Sequence, residues 1–143
     1  MRDKTIELCR RAARECTASN LRRASRQISA LFDDAMADCG VRGTQFSLLT
    51  ALAVGGEMPM TRLAGALALD RTTLTRNLAP LERDGLVASL PSADGRVRTV
   101  ALTKRGQEAL ERALPKWEGA QRRVVGALGE RRWKTLMSTL RSL

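Results

Sequence analysis

Arg71, Thr72, Thr73, Thr75, Arg76 and Asn77 crowd together around Leu74, Leu78 and Leu81. The leucines recur at the spacing of one helix face, so the polar residues occupy the rest of the same helix. Their chemistry suits the edges of base pairs. A guanidinium can bond in pairs to guanine and a carboxamide to adenine; threonine offers a hydroxyl for phosphate or base and a methyl for thymine. A second basic group, Arg96 and Arg98, flanks the turn sequence Pro91-Ser92-Ala93-Asp94-Gly95. Side chains of that reach can enter a minor groove, where a narrow A·T tract concentrates negative potential. Asp94 reads as a support that holds Arg96 by a charged hydrogen bond. Thr61 lies near the start of a preceding helix, where a hydroxyl and free amides meet phosphate.

These residues need a rigid frame, and the flanking sequence supplies one. Asp70 is an N-cap for a helix over 71–84, because its carboxylate can accept free amide protons two or three residues on. Gly85 closes that helix. Pro80 removes the bond to the Arg76 carbonyl and predicts a bend. A shorter helix over 60–68 precedes it, with Leu63 and Leu67 inward. Leu86 to Leu90 and Val97 to Leu102 read as two strands of a hairpin, with Val100 and Leu102 on one face. Short helix, turn, reading helix and charged hairpin, in that order, are a winged helix-turn-helix. The fold class is mainly α with a small β-wing.

Composition narrows the function classes. The chain has 143 residues, 43% of them hydrophobic, which suits one folded domain with a sizeable core. Net charge is +10, from 25 basic and 15 acidic residues, which favours a polyanionic partner. There is no His and no Tyr, and neither a Gly-rich phosphate loop nor a metal-binding spacing is evident, so an enzyme, a cofactor and a metal site are not expected. Three widely spaced cysteines fit no disulfide framework and suggest a reducing, cytoplasmic setting. The N-terminal stretch is charged throughout, unlike a secretory signal, and no apolar run has membrane-spanning length.

The remaining sequence reads as helices on either side of the reader. Ile6, Cys9, Ala13 and Cys16 mark one apolar face, and Leu21, Ala24, Ile28 and Ala35 a second. The two runs form either one kinked helix or two, with Ser19-Asn20 as the break. Gly40 ends the second, and Thr44 caps a helix over 45–53 that buries Phe46, Leu49 and Leu52. Thr103 caps a long helix to about Leu128, with Leu110, Leu114 and Trp117 inward and a bend or break at Pro115. A last helix carries Trp133, Leu136, Leu140 and Leu143 in a narrow stripe. This divides the chain into residues 1–40, 41–103 and 104–143.

A resemblance now becomes specific. Thr44-Gln45-Phe46-Ser47-Leu48-Leu49, Leu63-Ala64, Asp70-Arg71-Thr72-Thr73-Leu74-Thr75-Arg76, Leu81-Glu82-Arg83-Asp84-Gly85-Leu86-Val87, Asp94-Gly95-Arg96 and Val100-Ala101-Leu102-Thr103-Lys104-Arg105-Gly106 resemble the MarR family of bacterial regulators. The likeness covers residues 17–143 in architecture, with diagnostic wording from Thr44 to Gly106. Arg96 matches the family's wing arginine; Gly95 stands where the pattern usually has Arg.

The resemblance implies a homodimer whose terminal helices interdigitate, with a winged domain hanging from each side of that base. Residues 1–40 and 104–143 would then be dimerisation helices, and Leu21, Ile28, Trp133, Leu136, Leu140 and Leu143 would be buried by the second copy. It implies a repressor that leaves a pseudo-palindromic operator in double-stranded DNA when a small effector binds, often an aromatic or phenolic acid or a thioester. Phe46 and Leu49 would line the cleft, with Arg22 or Arg26 as the carboxylate partner, although both apolar residues also read as ordinary core. Cys16 matches the region where some relatives carry a redox-active thiol, and it equally fits the apolar face as a small hydrophobe. Two competing readings are a winged-helix interaction module without DNA binding and a nucleoid-type binder without site preference.

Overall fold

The computed structural model describes residues 3–91 and 98–142. Two helices, α1 (Asp3–Glu15) and α2 (Thr17–Met36), lead through a 3₁₀ turn at Ala37–Cys39 to α3 (Gly43–Gly55). Strand β1 (Met58–Pro59) enters α4 (Met60–Ala66) and α5 (Arg71–Arg83), followed by β2 (Val87–Pro91) and β3 (Arg98–Leu102). The chain ends in α6 (Lys104–Leu128) and α7 (Glu130–Arg141). The sheet is antiparallel in the order β1-β3-β2, with Val87 opposite Leu102 and Ser89 opposite Val100.

The core lies between α3, α4, α5 and the inner face of this sheet. Leu48, Leu49, Leu52, Leu63, Leu74, Leu78, Leu81 and Val100 are fully buried there. Aliphatic packing at this density is what a chain with two Trp, two Phe and no Tyr requires. Helix α6 closes the core with small residues, Ala109 and Ala113, and carries Trp117, whose ring stacks on Phe46 at 5.9 Å between centroids. The Thr103 hydroxyl accepts the Gly106 amide at 3.0 Å and donates to the Gly85 carbonyl at 2.7 Å. One cap therefore starts α6 and ties it to the end of α5.

Several sequence expectations shift. The break between the first two helices falls at Cys16, not Ser19-Asn20. Asn20 explains the difference: its side-chain amide donates to the Arg14 and Cys16 carbonyls at 2.9 and 3.1 Å, satisfying the end of α1 from within α2. Helix α3 begins at Gly43 with Arg42 as its N-cap rather than Thr44. The reason is a long-range carboxylate, since Asp33 accepts the Gly43 amide at 2.6 Å, while Gln45 accepts the Arg42 amide at 2.9 Å. Helix α4 stops at Ala66, just before Ala68 takes a positive φ of 50° in the turn. Helix α6 runs unbroken through Pro115, so the alternative of a break there does not hold. Leu114 is 42% exposed, and Ala113 holds the buried position instead.

Asp70 caps α5 as its sequence context requires. It accepts the Thr73 amide at 2.9 Å and the Thr73 hydroxyl at 2.6 Å. The Thr73 hydroxyl, followed by the Thr73 and Thr72 amides, holds its carboxyl below the ordinary value of 3.8. A depressed folded-state pKa means stabilisation that is fully present above the unfolded value and lost as pH falls through the folded one. Asp70→Ala is therefore expected to lower the melting temperature at pH 7. The gap from wild type should close on acidification below pH 3.8. Asp70→Asn, an uncharged cap, should show a smaller loss at pH 7 and less of that pH dependence. Thermal melts of the three proteins from pH 7 to pH 3 measure this; a gap between wild type and Asp70→Ala that widens in acid contradicts the assignment.

Candidate nucleic-acid interface

Three rows of side chains run along α5 beside the buried leucines. Arg71 with Thr75 and Thr72 with Arg76 form two exposed rows. Thr73 with Asn77 forms a third, half-buried row. The exposed rows present two guanidiniums, and neither pairs with a carboxylate among the described residues. The Thr75 hydroxyl donates to the Arg71 carbonyl at 2.8 Å, which leaves its oxygen and methyl facing out. Thr73 is committed to the cap. Asn77 turns toward a cleft of about 790 Å³ between α5 and the ends of α2 and α3, which Arg76 also borders. Thr61 is exposed in the first turn of α4.

The arrangement is a rigid, cationic helix edge. Its backbone is capped at one end and held to the core by Leu74, Leu78 and Leu81, so binding orders only the Arg71 and Arg76 side chains and not the helix that carries them. A single helix edge of this kind fits a major groove.

Arg98 has a different environment from Arg71 and Arg76. Its guanidinium bonds both Glu82 carboxylate oxygens, at 2.6 and 2.8 Å, and donates to the Ser89 hydroxyl at 2.7 Å. Strand parity explains this: Arg98 shares a face with buried Val100, and that face turns toward α5. Sequence reasoning missed Glu82 and Ser89, although the parity was already readable from Val100 and Leu102. Asp94, Gly95 and Arg96 lie outside the described residues.

The expected effector residues do not assemble. A cavity of about 300 Å³ opens between α2, α3 and α6, bordered by Ile28, Phe32, Met36, Phe46, Ser47 and Trp117, among others. Phe46 borders it, but Leu49 is completely buried in the core and does not. Arg22 and Arg26 are exposed on α2 and are not part of its wall. Its one charged wall residue is Asp33, already engaged with the Gly43 amide. Trp117 is the wall residue that the sequence assigned only to packing.

Cys16 sits half-buried at the start of α2. Its sulfur makes no full cap hydrogen bond. The Ser19 hydroxyl, then the Ser19 and Ala18 amides, nonetheless lower its pKa from 9.0. Cys39 shifts the other way, raised by burial and by neighbouring Asp38, so it is the less reactive thiol. Cys9 is exposed.

The terminal helices have no core of their own. Neither α1 nor α7 contains a buried residue, and α2 is exposed from Leu21 to Ala30. Leu21, Ile28, Leu136 and Leu140 are each about two-fifths exposed, and Trp133 is half-buried. Leu143 lies outside the described residues. Among the described residues, no helix is long and apolar enough to cross a membrane.

Comparison with known proteins places this geometry. Residues 43–97 match the MarR family. The chain is 37% identical to the M. tuberculosis transcriptional regulator MosR in complex with DNA, covering 90% of this chain and 92% of that one, with a TM-score of 0.83. Bordetella bronchiseptica BpsR, whose DNA binding is regulated by 6-hydroxynicotinic acid, is 27% identical over 90% of this chain and 98% of that one, with a TM-score of 0.80. The repressor CouR bound to a 23-mer DNA duplex is 26% identical over 92% of this chain and 94% of that one, with a TM-score of 0.82. No curated protein sequence matches the chain. An N-capped helix with two exposed arginines, a hairpin behind it and near full-length likeness to MosR lead to one assignment: the chain belongs to the MarR family of transcriptional regulators.

Proposed function

We propose that this protein is a dimeric, cytoplasmic repressor that reads a pseudo-palindromic operator and leaves it when a small aromatic acid or its thioester binds. The observation that carries the reading is the pair of exposed guanidiniums on α5, neither paired with a carboxylate among the described residues, on a helix fixed at its cap and along its buried face. Arg71, Thr72, Thr75 and Arg76 meet base edges, with Thr73 and Asn77 at the margin of the contact and Thr61 near phosphate. The uncovered apolar faces of α1, α2 and α7 supply the dimer, which sets the distance between two reading helices. The regulated DNA binding of BpsR and the DNA complex of MosR support the same reading.

Mobility-shift titrations with duplex from the protein's own upstream region test it. Specific binding should fall steeply with salt, because each neutralised phosphate releases a counterion. Equal affinity for scrambled duplex at moderate salt would overturn the claim of specificity. The absence of any DNA affinity would favour the interaction module instead.

The effector enters the cavity beside Phe46 and Trp117, whose mutually stacked rings give an aromatic acid an apolar wall. It releases DNA only by binding the DNA-incompetent spacing more tightly, since equal affinity shifts nothing. Phe46→Ala is expected to abolish release by aromatic acids, read as operator occupancy against ligand concentration.

A thiol input has its own supporting observation, the lowered pKa of Cys16 at a helix start. Cys16→Ser is expected to block peroxide-induced release. Unchanged release in that variant rules Cys16 out as the trigger.

A further inference from the structure

Glu82, Ser89 and Arg98 close a polar triangle between the reading helix and the hairpin. Arg98 bonds both carboxylate oxygens of Glu82, at 2.6 and 2.8 Å, and donates to Ser89 at 2.7 Å. The Ser89 hydroxyl in turn donates to Glu82. The three residues come from α5, β2 and β3. The Glu82 side chain is only 26% exposed. Arg98 stands opposite Pro91, the outermost pair of the described hairpin, so the triangle grips the sheet at its far end rather than at its root.

Glu82 lies on the same helix as Arg71 and Arg76, beyond them along the axis. Any rotation of the hairpin away from α5 must break the contact of one guanidinium nitrogen, Nη2, with both Glu82 oxygens. We infer that Glu82 is a positioning residue for DNA binding: through Arg98 and Ser89 it fixes the hairpin against α5, so that both elements meet one duplex, while touching no DNA itself. The inference rests on the DNA-reading role of α5.

Charge makes the test decisive. A carboxylate beside a polyanion opposes binding, so removing it raises affinity if electrostatics is all that changes. If Glu82 sets the hairpin angle, the sign reverses. Glu82→Gln is expected to weaken binding to a specific duplex about three- to tenfold. Arg98→Lys keeps the charge but offers one nitrogen where Arg98 uses two, Nη2 on Glu82 and Nε on Ser89, and should weaken binding by a similar factor. The double variant should bind no worse than the weaker single one, because both act on one network. Stoichiometric titration gives the active fraction separately from the dissociation constant. Partial unfolding therefore lowers the fraction, whereas mispositioning raises the constant. Glu82→Gln binding as tightly as wild type or tighter overturns the inference, as do losses that add in the double variant. Failure of wild type itself to prefer a specific duplex overturns the DNA reading instead, and this inference with it.

Discussion

Replacing Arg76 with Ala is expected to weaken binding to a specific duplex by about 1–3 kcal/mol, roughly 5- to 150-fold. The melting temperature should be nearly unchanged. Arg76 is exposed and has no ion-pair partner among the described residues, so its removal leaves no buried charge behind. Helix α5 keeps its Asp70 cap and its buried leucines. Arg71→Ala should behave alike, because Arg71 lies on the neighbouring exposed row of the same helix. If either guanidinium bonds a base, its removal relaxes preference at one position of each half-site. If it bonds only phosphate, affinity falls evenly across sequences and the salt slope drops by about one. Fluorescence anisotropy with matched and single-mismatch duplexes separates the two. Full affinity in both variants would remove α5 as the reading edge.

The largest stability effect is expected at Gly106, in the first turn of α6. A Cβ there would lie 2.0 Å from the Leu86 carbonyl oxygen and 2.7 Å from the Leu102 side chain. That oxygen also accepts the Thr103 amide at 3.2 Å. The obstacle is backbone, so no rotamer change relieves it, and the start of α6 must move away from Leu86, the residue before β2. Gly106→Ala is expected to cost about 2–3 kcal/mol and to lower the melting temperature by roughly 5–10 °C. Gly119, in the same helix, supplies the opposite control, since a Cβ there meets nothing within 4 Å. Gly119→Ala should stabilise by about 0.5–1 kcal/mol, because alanine restricts the unfolded chain and favours helix. Equal melting shifts at the two glycines would contradict the close approach of the first turn of α6 to Leu86.

What the sequence made legible was local. Asp70, the leucine stripe and the Thr103 cap each act within a few residues, and each determines its element wherever it occurs. The order of helix, helix and hairpin followed from such signals. What escaped was set by distant partners. Asp33 moves the start of α3 from ten residues away, and Glu82 holds Arg98 against α5 from sixteen. Phe46 meets Trp117 only after α6 folds back along α3. The cavity wall escapes a sequence reading for the same reason: Leu49 and Phe46 are three positions apart on one helix, yet one fills the core and the other borders a cavity. Arg22 and Arg26 remain on an α2 surface that a single chain leaves open.

This division explains how signal and reading can be coupled. The reading helix is fixed to its own core, so an effector gains nothing by deforming α5 itself. Under the proposed function an effector would act on the spacing between two copies, through α2 and α6, which wall the cavity and lead into the uncovered terminal helices.

Selection from a random duplex library at about 0.15 M salt tests the central claim most directly. A dimer carrying two α5 edges predicts enrichment of an inverted repeat with half-site centres about one helical turn, roughly 10 bp, apart. Loss of binding should follow when half a turn is inserted between them. A library that stays unenriched, or that yields a single half-site indifferent to spacing, contradicts a two-fold reader built on α5.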